Sequence, residues 1–319
     1  MVALCALAYR LPPGGVGGVA EAPRSVPALA VGRAYLQLTK PRIVILLLIT
    51  TVPAMILAAR AVPSPWLILA TLLGGSMAAG AANAINCYLD RDIDSKMSRT
   101  RQRPLPRHAV EPGAAFRFGV VLALVSTAWL ALTTNVLAAA LSALAILFYV
   151  FVYTAWMKRT TPQNIVIGGA AGAIPALVGW AAVTGRVGVP ALLLFGVVFL
   201  WTPPHFWALS LRYVDDYREA GVPMLPVVRG VEETTKRIVR YTAALLPMSL
   251  VLAPVAHLGP VYAVAAAGLW IWLATRALGL RRDPSLARAM RLFHTSNAYL
   301  ALLFAAVAVD VLATGGSLT

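Results

Sequence analysis

Charge is what this chain has least of: 12% of its 319 residues are Asp, Glu, Lys or Arg. A soluble domain carries about 25%. That shortage, beside 60% apolar residues and a mean hydropathy of +0.77, excludes an ordinary soluble protein and indicates an integral membrane protein. Cysteine is nearly missing. Cys5 lies in an N-terminal stretch rich in Gly, Pro and Ala, and Cys87 lies inside an apolar run. The two therefore make no disulfide framework, and Cys87 reads as a small buried apolar residue. Acids are also few, 12 against 27 Lys and Arg, leaving a formal net charge of +15. In a soluble chain that excess would suggest nucleic acid. Here most of the surface faces lipid, the cations belong to loops, and nucleic acid is excluded as a partner. The apolar residues Met1 to Tyr9 lack a basic start and are too few to span a bilayer, so no cleaved signal peptide is expected.

What the chain has in plenty is apolar runs of spanning length, about 20 residues each. Nine fall at roughly 43–60, 66–88, 116–133, 136–157, 164–184, 189–211, 239–257, 260–277 and 293–313. They predict an all-α, polytopic membrane protein, with nine transmembrane helices around a central active-site cavity that opens to the cytoplasmic side. The membrane domain is expected over 36–314, after a flexible N-terminal tail over 1–35. Nearly all Lys and Arg sit in alternate segments: the tail, the loop after the second run, Lys158-Arg159, Arg212 to Arg240, and Arg276 to Arg291. By the positive-inside bias these segments are cytoplasmic. A multi-pass protein of the cell inner membrane follows, with its N-terminus cytoplasmic and its C-terminus periplasmic.

Chemistry gathers where the second run ends. Asn86, Asp90 and Asp94 step by four residues, so on a helix they drift only about 40° per step and share one face. Such an oxygen ladder at a helix mouth suits a hard divalent cation such as Mg²⁺ together with substrate phosphates. Carboxylates at a membrane boundary are costly unless something uses them. The same stretch also fits a solvated loop with local ion pairs, and spacing alone does not decide. The sixth run leads into a second acidic segment, Tyr213-Val-Asp215-Asp216-Tyr217, on the same expected face. Two acidic clusters at one depth would let metal ions clamp a diphosphate. Lys40, Arg42, Arg99, Arg103, Lys158 and Arg159 share that face and suit phosphate or carboxylate oxygens.

Several residues carry two readings. Lys40-Pro41-Arg42 either anchors a helix entry by snorkelling or meets substrate. Gln163-Asn164 could orient substrate, while Gly168, Gly169 and Gly172 read as close helix packing. Arg101, Arg107, Lys236, Arg237, Arg281 and Arg282 read as topology-setting cations. His108, His257 and His294 read as ordinary interfacial residues, as does His205 beside two prolines.

These words resemble a known family. Asn86-x3-Asp90-x3-Asp94, followed by Arg99-Thr100 and Arg103-Pro104-Leu105, is similar to the first acidic motif of the intramembrane aromatic prenyltransferases of the UbiA superfamily. Asp215-Asp216-Tyr217 occupies the place of the second. Leu38-Thr39-Lys40-Pro41-Arg42, Tyr153-Thr154-x-Trp156-x-Lys158-Arg159, Gln163-Asn164-Ile-Val-Ile-Gly168-Gly169 and Trp201-Thr-Pro-Pro-His205-Phe-Trp207 resemble the haem-farnesylating branch. The resemblance runs from about residue 36 to 310. One departure is that Tyr213, Asp216 and Tyr217 stand where other branches place a second Asp-x3-Asp.

The resemblance implies transfer of a farnesyl group from farnesyl diphosphate to the 2-vinyl group of haem b, with water completing the addition to give haem O. It implies that Asn86, Asp90 and Asp94, with Asp215 or Asp216, hold Mg²⁺ against the diphosphate. Lys40, Arg42, Arg99, Arg103, Lys158, Arg159, Asn164, Tyr213 and Tyr217 would then meet substrate. With a haem substrate implied, His205 gains a reading as an axial contact to iron. Membrane lipid, and a haem A synthase or terminal oxidase assembly, are the further partners it suggests. Two alternatives stand beside it. A quinone-type aromatic prenyltransferase would share the ladder without needing His205. An ion-coupled transporter would place its acids near the bilayer midplane, but here they sit at helix ends, and no internal repeat is evident.

Overall fold

The computed structural model describes residues 28–314, apart from the side chains of residues 28, 42–44 and 46–48. All regular structure among these residues is helical: α1 Ala28–Leu38, α2 Pro41–Ala59, α3 Pro65–Leu89, α4 Arg91–Lys96, α5 Pro112–Thr133 and α6 Val136–Leu147 come first. A π-helical stretch, Phe148–Met157, continues α6 into the single turn α7, Lys158–Thr160. Then follow α8 Asn164–Thr184, α9 Val189–Ser210, α10 Val214–Glu219, α11 Leu225–Val255, α12 Pro260–Arg282 and α13 Leu286–Thr314. In hydrocarbon every backbone polar group needs an internal partner, so long apolar segments have no alternative to helix. Their starts are written locally. Proline opens α2, α3, α5 and α12, where its missing N–H costs nothing. Ser64, Glu111 and Asn135 cap the first turns of α3, α5 and α6.

Among the described residues, eight helices are long and apolar enough to cross a membrane. The first expected run, 43–60, coincides with α2, whose described apolar part is Ile49–Ala59. The expected tail over 1–35 lies outside the described residues up to Ala28, where α1 begins. From there α1 packs Ala34 and Leu38 against Ala84 and Cys87 of α3 and Ala115 of α5. Cys87 is buried there as a free thiol. α11 and α13 start well before the apolar runs at 239 and 293, and a φ of 75° at Gly230 breaks α11 near its start.

Helices approach closely where small residues face a neighbour. A Cβ on Gly179 would lie 2.6 Å from the Thr51 carbonyl, and one on Gly168 would lie 2.2 Å from the Tyr153 ring. α8 is thereby held against α2 on one side and the π-helical stretch on another, with α6 and α9 also packed on it.

Contacts between loops sort the bundle into two ends. At one end, Arg60 donates to the Ala256 carbonyl, and Asn135 donates to the carbonyls of Ala181 and Ala182. There too the fully buried Asp310 carboxylate accepts from the backbone N–H groups of Gly259 and Tyr262. The other end gathers Lys40, the segment 90–107, Lys158, Arg159 and the segment 212–219, and is called the basic face below. Two surface clefts stand out, one lined by Leu89, Arg91, Asp92, Ala155 and Arg159, the other by Thr275, Arg276, Gly279, Arg288 and Arg291. Neither is the expected central cavity.

Candidate active site

The ladder is built across a helix break. α3 ends at Leu89, Asp90 forms the junction, and α4 carries Asp94. The four-residue hydrogen bonding nevertheless runs through it: Asp90 N–H donates to the Asn86 carbonyl at 2.9 Å and Asp94 N–H to the Asp90 carbonyl at 2.7 Å. The spacing therefore survives, and the three side chains stay on one side. They do not stand at an open mouth, however. Asn86, Asp90 and Asp94 are 3%, 0% and 2% exposed, so the solvated-loop reading fails for these three.

Burial of two carboxylates demands partners, and the basic face supplies them, for Asp90 from 68 positions away and for Asp94 from nine. Lys158 Nζ donates to Asp90 Oδ2, with Arg159 Nη2 at 3.7 Å from Asp90 Oδ1. Arg103 donates to both oxygens of Asp94, at 2.9 and 2.7 Å. Lys40 Nζ donates to Asn86 Oδ1 at 2.7 Å. The Asn86 amide nitrogen in turn donates to Asp90 Oδ2 and to Thr154 Oγ1. Thr154 sits in the π-helical stretch and donates to the Tyr149 carbonyl five residues back. That wider winding is what turns Thr154 and Lys158 toward the same two ladder residues. Burial, helped by the Arg103 and Lys158 cations, pushes the Lys40 ammonium down to about 8. Asp92, which is half in solvent, is held down to about 2 by its two bonds to the Arg159 guanidinium.

The second acidic segment joins the first through Ser98, whose hydroxyl donates to Asp216 Oδ2 at 2.6 Å. The Arg99 guanidinium lies 5.4 Å over the Tyr213 ring. Tyr217 is buried in the same core cluster as Ile93 and Met97. Asp216 and Tyr213 thus close on the loop that follows the ladder. Asp215 turns the other way: its side chain is 86% exposed and pairs with Arg218. The Arg42 side chain lies outside the described residues.

Two further expected residues sit deeper. His205 is 6% exposed and stacks between Trp201 and Phe293, with ring centroids at 4.3 and 4.5 Å. Its Nδ1 lies 2.8 Å from Ser296 Oγ, and that hydroxyl already donates to the Phe293 carbonyl. Ser296 therefore accepts from Nδ1–H, which leaves the lone pair on Nε2. Asn164, in the first turn of α8, is 0% exposed, and neither its Oδ1 nor its Nδ2 has a hydrogen-bond partner.

The ladder's donor set fits Mg²⁺. Asn86, Asp90 and Asp94 offer hard oxygens, and the buried Asp90 Oδ1 has no hydrogen-bond partner. No three His, Cys, Asp or Glu side chains converge as a complete metal cage among the described residues. That is the usual economy of Mg²⁺ sites, where substrate phosphates and water complete the shell. Ser98 and Ser296 were missed by sequence reasoning. Ser98 lies inside the first motif's basic loop, but nothing in the spacing marks it, and Ser296 sits 91 residues from His205.

The sequence pattern of the UbiA prenyltransferase family matches residues 47–298. A protoheme IX farnesyltransferase of Frankia alni is 57% identical over 283 residues, covering 87% of this chain and 97% of that one. A solved digeranylgeranylglyceryl phosphate synthase superposes with a TM-score of 0.74 at 18% identity, covering 89% of this chain and 99% of that chain. A solved UbiA homologue from Archaeoglobus fulgidus, bound to DMAPP and Mg²⁺, superposes with a TM-score of 0.61 at 18% identity, covering 86% and 99%.

Proposed function

The chain belongs to the UbiA prenyltransferase family, and from that premise we propose that it transfers a farnesyl group from farnesyl diphosphate to the 2-vinyl group of haem b, water completing the addition to give haem O. The single observation that carries this reading is the likeness to protoheme IX farnesyltransferases at 57% identity over most of both chains. The site supplies the chemistry such a transfer needs. Asn86, Asp90 and Asp94 are the residues that would hold Mg²⁺, with Asp216 as the carboxylate contributed by the second segment. Held by these residues, Mg²⁺ would supply positive charge to offset that developing on the departing diphosphate.

The chain's own cations do the rest at that end. Lys158, Arg103 and Lys40 lie on the ladder itself, so a small rotation exchanges a carboxylate for a phosphate oxygen. Arg99 and Arg159 flank them from the exposed side. The apolar interior receives the prenyl chain and keeps bulk water from the allylic cation. His205 Nε2 offers its lone pair to the haem iron, with Ser296, Trp201 and Phe293 fixing the ring. By the distribution of Lys and Arg, the basic face is cytoplasmic, the N-terminus lies inside and the C-terminus on the periplasmic side of the inner membrane. Haem O then passes to a haem A synthase or to terminal oxidase assembly.

The test is reconstitution in lipid vesicles with farnesyl diphosphate, haem b and Mg²⁺, followed by extraction and mass analysis of haems. Haem O is expected. Prenylation of a quinone precursor with no haem O from inserted protein would overturn the reading.

A further inference from the structure

We propose that the Asn164 side chain holds the water molecule that becomes the hydroxyl group of the product. The inference rests on the haem farnesylation proposed above. Asn164 is fully buried, yet both ends of its amide lack a partner. Buried side-chain amides are almost always paired, and leaving both ends unmade is costly. Something outside the protein therefore meets them.

Position narrows what that is. A tight turn, closed by Asn164 N–H donating to the Thr161 carbonyl, separates Asn164 from Lys158, which is bonded to Asp90. One helical turn further in, Gly168 lies under the Tyr153 ring. On the other side, a Cβ on Gly169 would lie 2.9 Å from Thr202. Because α8 and α9 run antiparallel, that register sets Asn164 at the depth of the turn holding His205 and Trp207. The amide thus stands at the depth of the His205 turn, and only a short turn of chain separates it from Lys158 on the ladder.

Chemistry narrows it further. The prenyl chain and the vinyl group have no hydrogen-bonding atoms. Diphosphate and haem carboxylate oxygens accept only, so they would satisfy Nδ2 and repel Oδ1. Water alone accepts from Nδ2 and donates to Oδ1. In the step, the bond between farnesyl C1 and the diphosphate oxygen breaks with its electron pair leaving on diphosphate. The terminal vinyl carbon bonds to C1, which leaves a cation on the vinyl carbon next to the ring. The water oxygen bonds to that carbon, and its surplus proton goes to the released diphosphate. Without a held water, the same cation loses a proton from the new methylene to diphosphate, giving a farnesylated haem with a double bond, lighter than haem O by one water.

The experiment compares the unsubstituted protein with Asn164→Leu and Asn164→Ser in vesicles containing farnesyl diphosphate, haem b and Mg²⁺, reading diphosphate release and the ratio of hydroxylated to unsaturated product. Losing a positioned reactant should lower that ratio by about tenfold or more in Asn164→Leu, whatever the change in total diphosphate release. Asn164→Ser, which keeps a donor and an acceptor, should recover part of it. A purely structural Asn164 would lower total turnover and leave the ratio unchanged, which would overturn the inference. If Asn164→Leu fails to insert, the ratio in Asn164→Ser decides, an unaltered ratio counting against. Absence of haem O from the unsubstituted protein would overturn this inference and its parent together, whereas haem O with an invariant ratio would overturn this one alone.

Discussion

The two ends of the bundle both bury charge, and they spend it differently. On the basic face, Asp90 and Asp94 are paired with side chains, Lys158 and Arg103. At the opposite end, the one fully buried acid, Asp310, is met by the backbone N–H groups of Gly259 and Tyr262, and even the exposed Arg60 bonds a main-chain group, the Ala256 carbonyl. A main-chain partner is fixed by the fold and cannot leave. A lysine or arginine partner can swing to another anion, and the carboxylate it leaves can meet a cation. Burial of an acid in a membrane protein thus does not by itself mark a site; the kind of partner does.

The largest expected effect is at Asp90. Asp90→Asn keeps the shape of the junction and removes the charge, and Mg²⁺-dependent diphosphate release should fall by about a thousandfold, measured on protein that still elutes as a folded species. The converse belongs to Asp310. Asp310→Ala orphans two backbone donors and should lower stability in detergent by about 3 kcal/mol, read by thermal unfolding, while the protein that remains folded keeps its turnover. If Asp310→Ala abolished turnover without loss of stability, the contrast between the ends would fail. Lys158→Met should raise the KM for the prenyl diphosphate by about tenfold or more and leave a smaller mark on haem binding. The smallest effects separate two adjacent acids: Asp216→Asn should cost about tenfold in turnover, whereas Asp215→Asn, exposed and paired only with Arg218, should be silent. Equal losses at both would mean that Asp215 turns inward when substrate binds.

Much of this was legible beforehand, for identifiable reasons. Uninterrupted runs of about 20 apolar residues suit helices that cross a bilayer, and among the described residues eight helices are long and apolar enough to do so, while the uneven scatter of Lys and Arg grouped the loops that the contacts bring together. The i, i+4 spacing of Asn86, Asp90 and Asp94 survived even a helix break, since the backbone bonds run through Asp90. Pairing across the chain was not legible. Lys158 meets Asp90 over 68 positions and Ser98 meets Asp216 over 118, and no local spacing carries such information. The inner starts of α11 and α13 were missed because their first turns are amphipathic rather than apolar. Asp310 had a signal that went unused, a lone carboxylate inside an otherwise apolar run. Asp215 and Asp216 look interchangeable as letters, and only the direction of a short helix separates them.

The paired acids of the basic face are expected to do chemistry that the capping acid Asp310 does not. Reconstituting equal amounts of folded Asp90→Asn and Asp310→Asn with farnesyl diphosphate, haem b and Mg²⁺, and weighing the haems formed, tests this directly. Haem O from Asp310→Asn and none from Asp90→Asn is the result expected. Haem O from Asp90→Asn at the level of the unsubstituted protein would contradict it.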